Sequence, residues 1–265
     1  MYAFDYRKPS SVADAVAALQ AAEDAKFVAG GMTLIPTLKQ RLAQPSDLID
    51  LGGVRELAGI TVAGDTVTIG AMTTHATVAN SRDVAGAIPA LAALASHIGD
   101  PQVRNRGTIG GSVANNDPAA DYPAACLGLG ATINTNSREL KADDFFTGLF
   151  ETALADDEII VSVSFPKPAK AAYMKFDNPA SRYALVGVFV AQAAGGVRVA
   201  VTGSGQDGVF RVPAMEKALS ANWSPDAVAG ITVDAGTLNA DIHASAEYRA
   251  HLITVMAKRA VAAAG

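Results

Sequence analysis

Apolar residues along this chain recur at two spacings, and the switches between them mark out its elements. Residues 2–6 alternate large apolar with small or polar side chains and predict an edge strand entering Pro9. Val12, Val16 and Leu19 then fall on one helical face, behind a capping box formed by Ser11 and Asp14. Residues 26–29 read as a second strand that runs into Gly30-Gly31. Leu34, Leu38 and Leu42 have helical spacing, with Thr33 placed as a cap and Pro36 in the first turn, where a missing N–H costs little.

Further along, residues 47–51 predict a strand, and 60–62 with 66–69 a hairpin turning at Gly64-Asp65. Thr73-Thr74-His75 opens a helix, 88–98 forms an apolar one, and 124–129 another that stops at Gly130. Strands follow at 132–135, 138–141 and 158–165, around a loop or short helix at 143–148. Pro166 to Lys170 is the best boundary in the chain, carrying two prolines and two lysines in five residues. Beyond it, 171–176, 184–193 and 196–202 predict three antiparallel strands. The last helix, 245–264, presents Tyr248, Leu252, Val255 and Met256 on one face.

Composition then removes several classes of function. A chain of 265 residues that is 50% hydrophobic builds a large core, and a net charge of −5 with no Lys/Arg run offers nothing to nucleic acid. Cys126 is the single cysteine, so the chain has no internal disulfide and no ligand set for zinc thiolates or an iron–sulfur cluster. The longest apolar run is too short to span a bilayer, and Asp5 and Arg7 stand where a signal peptide needs apolar residues. The expectation is a cytoplasmic protein without membrane insertion. His75 in a first helical turn reads as structural, and Asp143-Asp144 lacks the third ligand a metal needs.

Two glycine-centred stretches carry the chemistry. Phe27, Val28 and Ala29 lead into Gly30-Gly31-Met32-Thr33-Leu34, a strand, a double glycine and a helix start. The second stretch, from Arg104 to Asn115, contains Gly107 and the pair Gly110-Gly111 among small polar residues. Glycine admits φ > 0 and lets backbone approach a ligand, and the expectation is that peptide N–H groups in both stretches are left free to face oxygens. Thr108, Ser112, Asn115 and Asn116 add hydroxyls and amides. Two such anion sites on one chain suggest a diphosphate cofactor, and valine at both Gly31 and Gly110 is expected to give folded protein that binds none. Gly203 to Gly208 also fits G-x-G-x-x-G, but extended chain follows it where a dinucleotide fingerprint needs a helix.

These motifs, with Pro118 to Pro123, Tyr173-x-Lys175-Phe176, Ser181-Arg182-Tyr183-Ala184 and Tyr248-Arg249, resemble the FAD-binding (medium) subunit of the molybdenum-containing hydroxylases of xanthine dehydrogenase and carbon monoxide dehydrogenase type. The resemblance implies an α+β fold. Its FAD-binding part of two α+β lobes would cover residues 1–166, and a smaller three-stranded antiparallel sheet with helices would cover 167–265. Phe27, Val28, Ala29, Gly30, Gly31, Met32, Thr33 and Leu34 would hold the diphosphate through backbone N–H groups. Thr108, Ile109, Gly110, Gly111 and Ser112 would form the second wall, and Asp121 would take a ribose hydroxyl. Ile160 would lie against the isoalloxazine, Lys175 would reach the flavin, and Tyr183 would stack near its reactive edge. Ile98 and Thr74 complete the implied contacts. Met32 stands where relatives often carry a polar residue, which removes a side-chain contact but leaves the backbone donors.

The same resemblance implies partners. Substrate would be oxidised at a molybdenum cofactor in a large subunit, and electrons would pass through [2Fe-2S] clusters of a small subunit to FAD on this chain and then to an external acceptor. The expected assembly is a heterotrimer, doubled as (αβγ)2. A free-standing FAD-dependent oxidoreductase is the alternative, although neither glycine motif holds the His or Cys that often tethers the flavin in such enzymes. A flavin-free scaffold of the same fold also stays open.

Overall fold

The computed structural model describes residues 1–265. Its first part is built from β1 (Asp5–Arg7), α1 (Val12–Gln20), β2 (Ala25–Val28), α2 (Leu34–Lys39) and β3 (Asp47–Asp50), the strands forming a parallel sheet in the order β1-β3-β2. Ser11 caps α1 by accepting from the Asp14 N–H at 3.1 Å, as the sequence predicts. Ala15, Ile49, Leu51, Val54 and Leu57 form a small core here, which Ile159 joins from far along the chain. The strand expected over 2–6 is Asp5–Arg7, the stretch that pairs with β3. The helix expected to reach residue 42 ends at Lys39, because Arg41 enters the left-handed region at φ 60°.

The second part begins with the hairpin β4 (Ile60–Ala63) and β5 (Thr66–Gly70). Six short helices follow: α3 (His75–Asn80), α4 (Arg82–Ala87), α5 (Pro89–Ser96), α6 (Pro101–Arg106), α7 (Ile109–Asn115) and α8 (Tyr122–Leu129). Then come β6 (Thr132–Thr135), β7 (Glu139–Lys141), α9 (Ala142–Phe145), the hairpin β8 (Phe146–Gly148) and β9 (Glu151–Thr152), and β10 (Ile160–Pro166). The five-stranded sheet has the order β4-β5-β10-β6-β7 and is antiparallel throughout. Its central strand is thus the last in sequence. All eight residues of α8 are buried, which its uncharged sequence permits. Asp143 is taken up by Arg198 and Arg211 at 2.9 and 3.1 Å.

The third part is a sheet in the order β11-β12-β13-β14, from β11 (Lys170–Asp177), β12 (Ala184–Ala193), β13 (Gly196–Thr202) and β14 (Phe210–Arg211), with α10 (Pro213–Ala221) and α11 (Ala246–Ala263). Three strands were expected and four are present. The fourth is a two-residue strand whose Phe210 pairs with Val201, too short to leave a periodic signal. It follows Gly203 to Gly208 directly, so no helix starts at those glycines. β12 is buried on both faces: Phe189 and Ala191 pack into the core of the second part, while Val186, Val188 and Val190 pack with α11. Burial of a side chain the size of Phe189 is worth about 3 kcal/mol, so this strand fastens the two parts together. Arg249 of α11 is buried and donates to the Leu185 and Gly203 carbonyls, both at 2.8 Å.

Candidate cofactor site

A cleft of about 500 Å³ opens between these parts, within the range of small-ligand and cofactor sites. It collects residues from both glycine stretches, from the 97–99 turn, from 154–160 and from the β11–β12 turn. Of the residues singled out in the sequence, Phe27, Ala29, Gly30, Gly31, Met32, Thr33, Leu34, Ile98, Thr108, Gly110, Gly111, Ser112, Asp121, Ile160 and Tyr183 line it; Val28, Thr74, Ile109 and Lys175 do not.

The first glycine turn presents its backbone. The peptide N–H groups of Ala29, Gly30, Gly31, Met32 and Thr33 have no acceptor anywhere in the chain. Gly31 sits at φ +73°, a conformation open to glycine at no steric cost. Gly30 lies so close to the second stretch that a Cβ on it would stand 2.1 Å from the Arg106 carbonyl oxygen. Thr33 does not cap α2: its side chain makes no cap bond, and its carbonyl accepts from the Thr37 hydroxyl at 3.0 Å. The Ile35 N–H bonds to the Gly31 carbonyl at 3.0 Å and Pro36 has no N–H, so the free donors are those of the turn itself.

The second stretch corrects an expectation. Thr108 caps α7 by accepting from the Gly111 N–H at 3.2 Å, and its carbonyl accepts from the Ser112 N–H at 3.0 Å. Ile109 donates to Thr73 and Gly110 to Ala71, at 3.1 and 2.8 Å. The peptide donors of residues 109–112 are therefore spent inside the protein. Gly110 is glycine because α7 is docked against the end of β5: a Cβ there would lie 2.5 Å from that of Ala71. Valine at this position would break that packing and not fill ligand space, contrary to the expectation of a folded, cofactor-free variant. What this wall offers a ligand is side chains: the Ser112 hydroxyl and Asn115 amide line the cleft and have no partner in the chain.

Asp121 lines the cleft and pairs with Lys175, which does not line it. The Asp121 carboxylate is 4% exposed and accepts from the Tyr173 hydroxyl and from the Lys175 ammonium at 3.1 Å. Lys175 Nζ also donates to the His97 carbonyl at 3.1 Å and lies 3.5 Å from Asp177. Lys175 is held by Asp121, the His97 carbonyl and the nearby Asp177, and it ties β11 to the segment before α6 without lining the cleft. Burial pushes the Asp121 carboxyl up, against the pull of Lys175 and Tyr173. Asp117, which also lines the cleft, is raised by burial as well.

The far side of the cleft is apolar. Ile98, Leu154, Ile159, Ile160 and the half-exposed Tyr183 stand around it, a surface for a flat ring system. Tyr183 follows a turn held by the buried Asn178, whose side-chain oxygen accepts from the Ala180 and Ser181 N–H groups at 2.9 and 3.2 Å. Leu154 and Ile159 escaped the sequence reading, since apolar residues flanking a strand carry no chemical signal. Glu158 lies at the rim, held well below the ordinary carboxylate range chiefly by the Arg138 guanidinium at 2.7 Å.

The donor set and the apolar side together match a dinucleotide with a planar ring. Unpaired amides on the first turn suit a diphosphate, and the wall around Ile160 suits an isoalloxazine. The family model described as the FAD binding domain in molybdopterin dehydrogenase matches residues 2–168. The chain belongs to this family. It is accordingly an FAD-binding oxidoreductase subunit of molybdenum hydroxylase type, of α+β fold. The nicotine 6-hydroxylase medium subunit of Paenarthrobacter nicotinovorans is 40% identical to this chain, over 99% of it and 98% of the relative. The carbon monoxide dehydrogenase medium chain of Hydrogenophaga pseudoflava is 36% identical, over 98% and 96%. Among solved structures, reconstituted CO dehydrogenase from Oligotropha carboxidovorans superposes with a TM-score of 0.90 at 33% identity, covering 99% of this chain and 98% of that one. No helix of this family member is long and apolar enough to cross a membrane.

Proposed function

We propose that the chain seats FAD in this cleft as the medium subunit of a cytoplasmic, multi-subunit molybdenum hydroxylase. The observation that carries the reading is the run of five unpaired peptide donors, Ala29 to Thr33, beside an apolar wall. The amides of this turn would hold the diphosphate, with the Thr108 and Ser112 hydroxyls closing on it from the other side. Asp121 would meet a ribose hydroxyl with the part of its carboxylate that faces the cleft. Ile98, Ile160 and Tyr183 would exclude water from the ring. Residues 1–166 would then act as the flavin-holding unit and 167–265 as a clamp that contributes Tyr183 to the cleft.

Bound flavin supplies the redox chemistry, and the protein supplies position and electrostatics. The single cysteine is buried, so this chain lacks the thiolate set that holds an iron–sulfur cluster. We infer that a small subunit brings [2Fe-2S] clusters and a large one the molybdenum cofactor, in an (αβγ)2 assembly whose electrons leave through this chain to an external acceptor. The test is to express the chain alone and together with the products of its neighbouring genes. The reading expects FAD bound stoichiometrically in both preparations, co-purification of a [2Fe-2S] protein in the second, and no substrate oxidation by the chain alone. Colourless protein, or turnover without partners, would overturn it.

A further inference from the structure

His75 is the first residue of α3. Its peptide N–H donates to the Gly107 carbonyl at 2.9 Å, so the helix start is fastened to the stretch that carries the second wall. The imidazole is wedged between Gly107 and Tyr122. A Cβ on Gly107 would come within 2.5 Å of Nε2, and the His75 and Tyr122 rings lie 5.4 Å apart with a 46° tilt. The residue is 5% exposed, and that remaining exposure opens on the cleft.

Its two nitrogens differ. Nδ1 is fully buried and has no partner. Nε2 has no partner in the chain either, but it is not sealed from solvent and stands next to Gly107, whose Cα packs against Gly30 of the first turn. A buried N–H donor without an acceptor is rarer in proteins than an idle acceptor, so the favoured neutral tautomer leaves the lone pair on Nδ1 and carries the proton on Nε2. Burial, with Arg104 nearby, draws the imidazole down to about 4, and at neutral pH the ring carries no charge.

We propose that His75 binds the cofactor directly, its neutral Nε2–H donating to an oxygen of the FAD diphosphate region where Gly30 and Gly107 meet. The helix places it on the wall whose peptide donors are spent, so it restores a donor opposite the free amides of the first turn. This inference rests on the seating of FAD proposed above.

The test uses the full chain, stripped of flavin and titrated with FAD under flavin fluorescence. His75→Phe keeps the ring and removes the donor; loss of one neutral hydrogen bond should weaken binding by about tenfold. His75→Gln, whose side-chain amide reaches a similar point, should stay within about threefold of the parent. In the unsubstituted chain, ¹⁵N spectra should place the proton on Nε2 and show that nitrogen shifting when FAD is added, a readout that holds even if a variant fails to fold. A proton on Nδ1, or undiminished FAD affinity of His75→Phe, would overturn the proposal while leaving the FAD reading intact. Absence of FAD binding by the unsubstituted chain would bring down both.

Discussion

Gly30-Gly31 and Gly110-Gly111 are the same two letters put to opposite uses. At the first pair the backbone is left unsatisfied, with Gly31 in the left-handed region and the amides of 29–33 unbonded. At the second pair every amide from 109 to 112 is satisfied inside the protein, and Gly110 exists so that α7 can dock on Ala71. One turn leaves its amides free for a ligand, and the other spends them holding a wall still. A glycine pair in a sequence announces a close approach, and the tertiary structure decides what approaches.

The comparison breaks most visibly at the second pair. Gly110→Val should destabilise the flavin-free chain by about 3 kcal/mol or more through overpacking against the end of β5, read as a lowered denaturation midpoint. Gly31→Ala should cost the fold only about 1–2 kcal/mol from its left-handed φ, yet weaken FAD binding.

Acid should act on the junction between the walls. Folded His75 protonates near 4 and an unfolded histidine near 6.5, so the unfolded chain binds more protons between those values. The stability His75 contributes is complete above about pH 6.5 and lost as pH falls towards 4, up to about 3 kcal/mol. Asp121, raised by burial, works in the opposite sense. The check is therefore the difference in unfolding free energy between the parent and His75→Phe, which should shrink as pH falls from 7 to 4.5.

A smaller effect separates the two threonines. Thr108→Ala removes a working cap and should cost about 1 kcal/mol, whereas Thr33→Ala removes none and should change the denaturation midpoint by no more than a few tenths of a kcal/mol.

Local features of this molecule were legible in its sequence. The Ser11 cap, the β4–β5 turn, the three long strands of the last sheet and the false fingerprint at Gly203 all follow from residues within one turn of one another. Long-range pairings were not. β10 lies between β5 and β6, some ninety residues after β5, and nothing in its alternation names those neighbours. Likewise the role of Lys175 is set by Asp121 and the His97 carbonyl, partners that only the fold brings together. The site was legible as a set of residues, since both glycine stretches and the apolar contacts converge on one cleft. Its division of labour was not, because whether an amide is free depends on Thr73 and Ala71, which carry no motif.

The central claim is that anion binding falls to the first turn's amides. It is tested most directly by assigning the backbone amides of the ¹⁵N-labelled, flavin-free chain and adding FAD. The account predicts large shifts and slowed exchange at residues 29–33, with small changes at 109–112. Strong perturbation at 109–112 beside an unmoved first turn would contradict it.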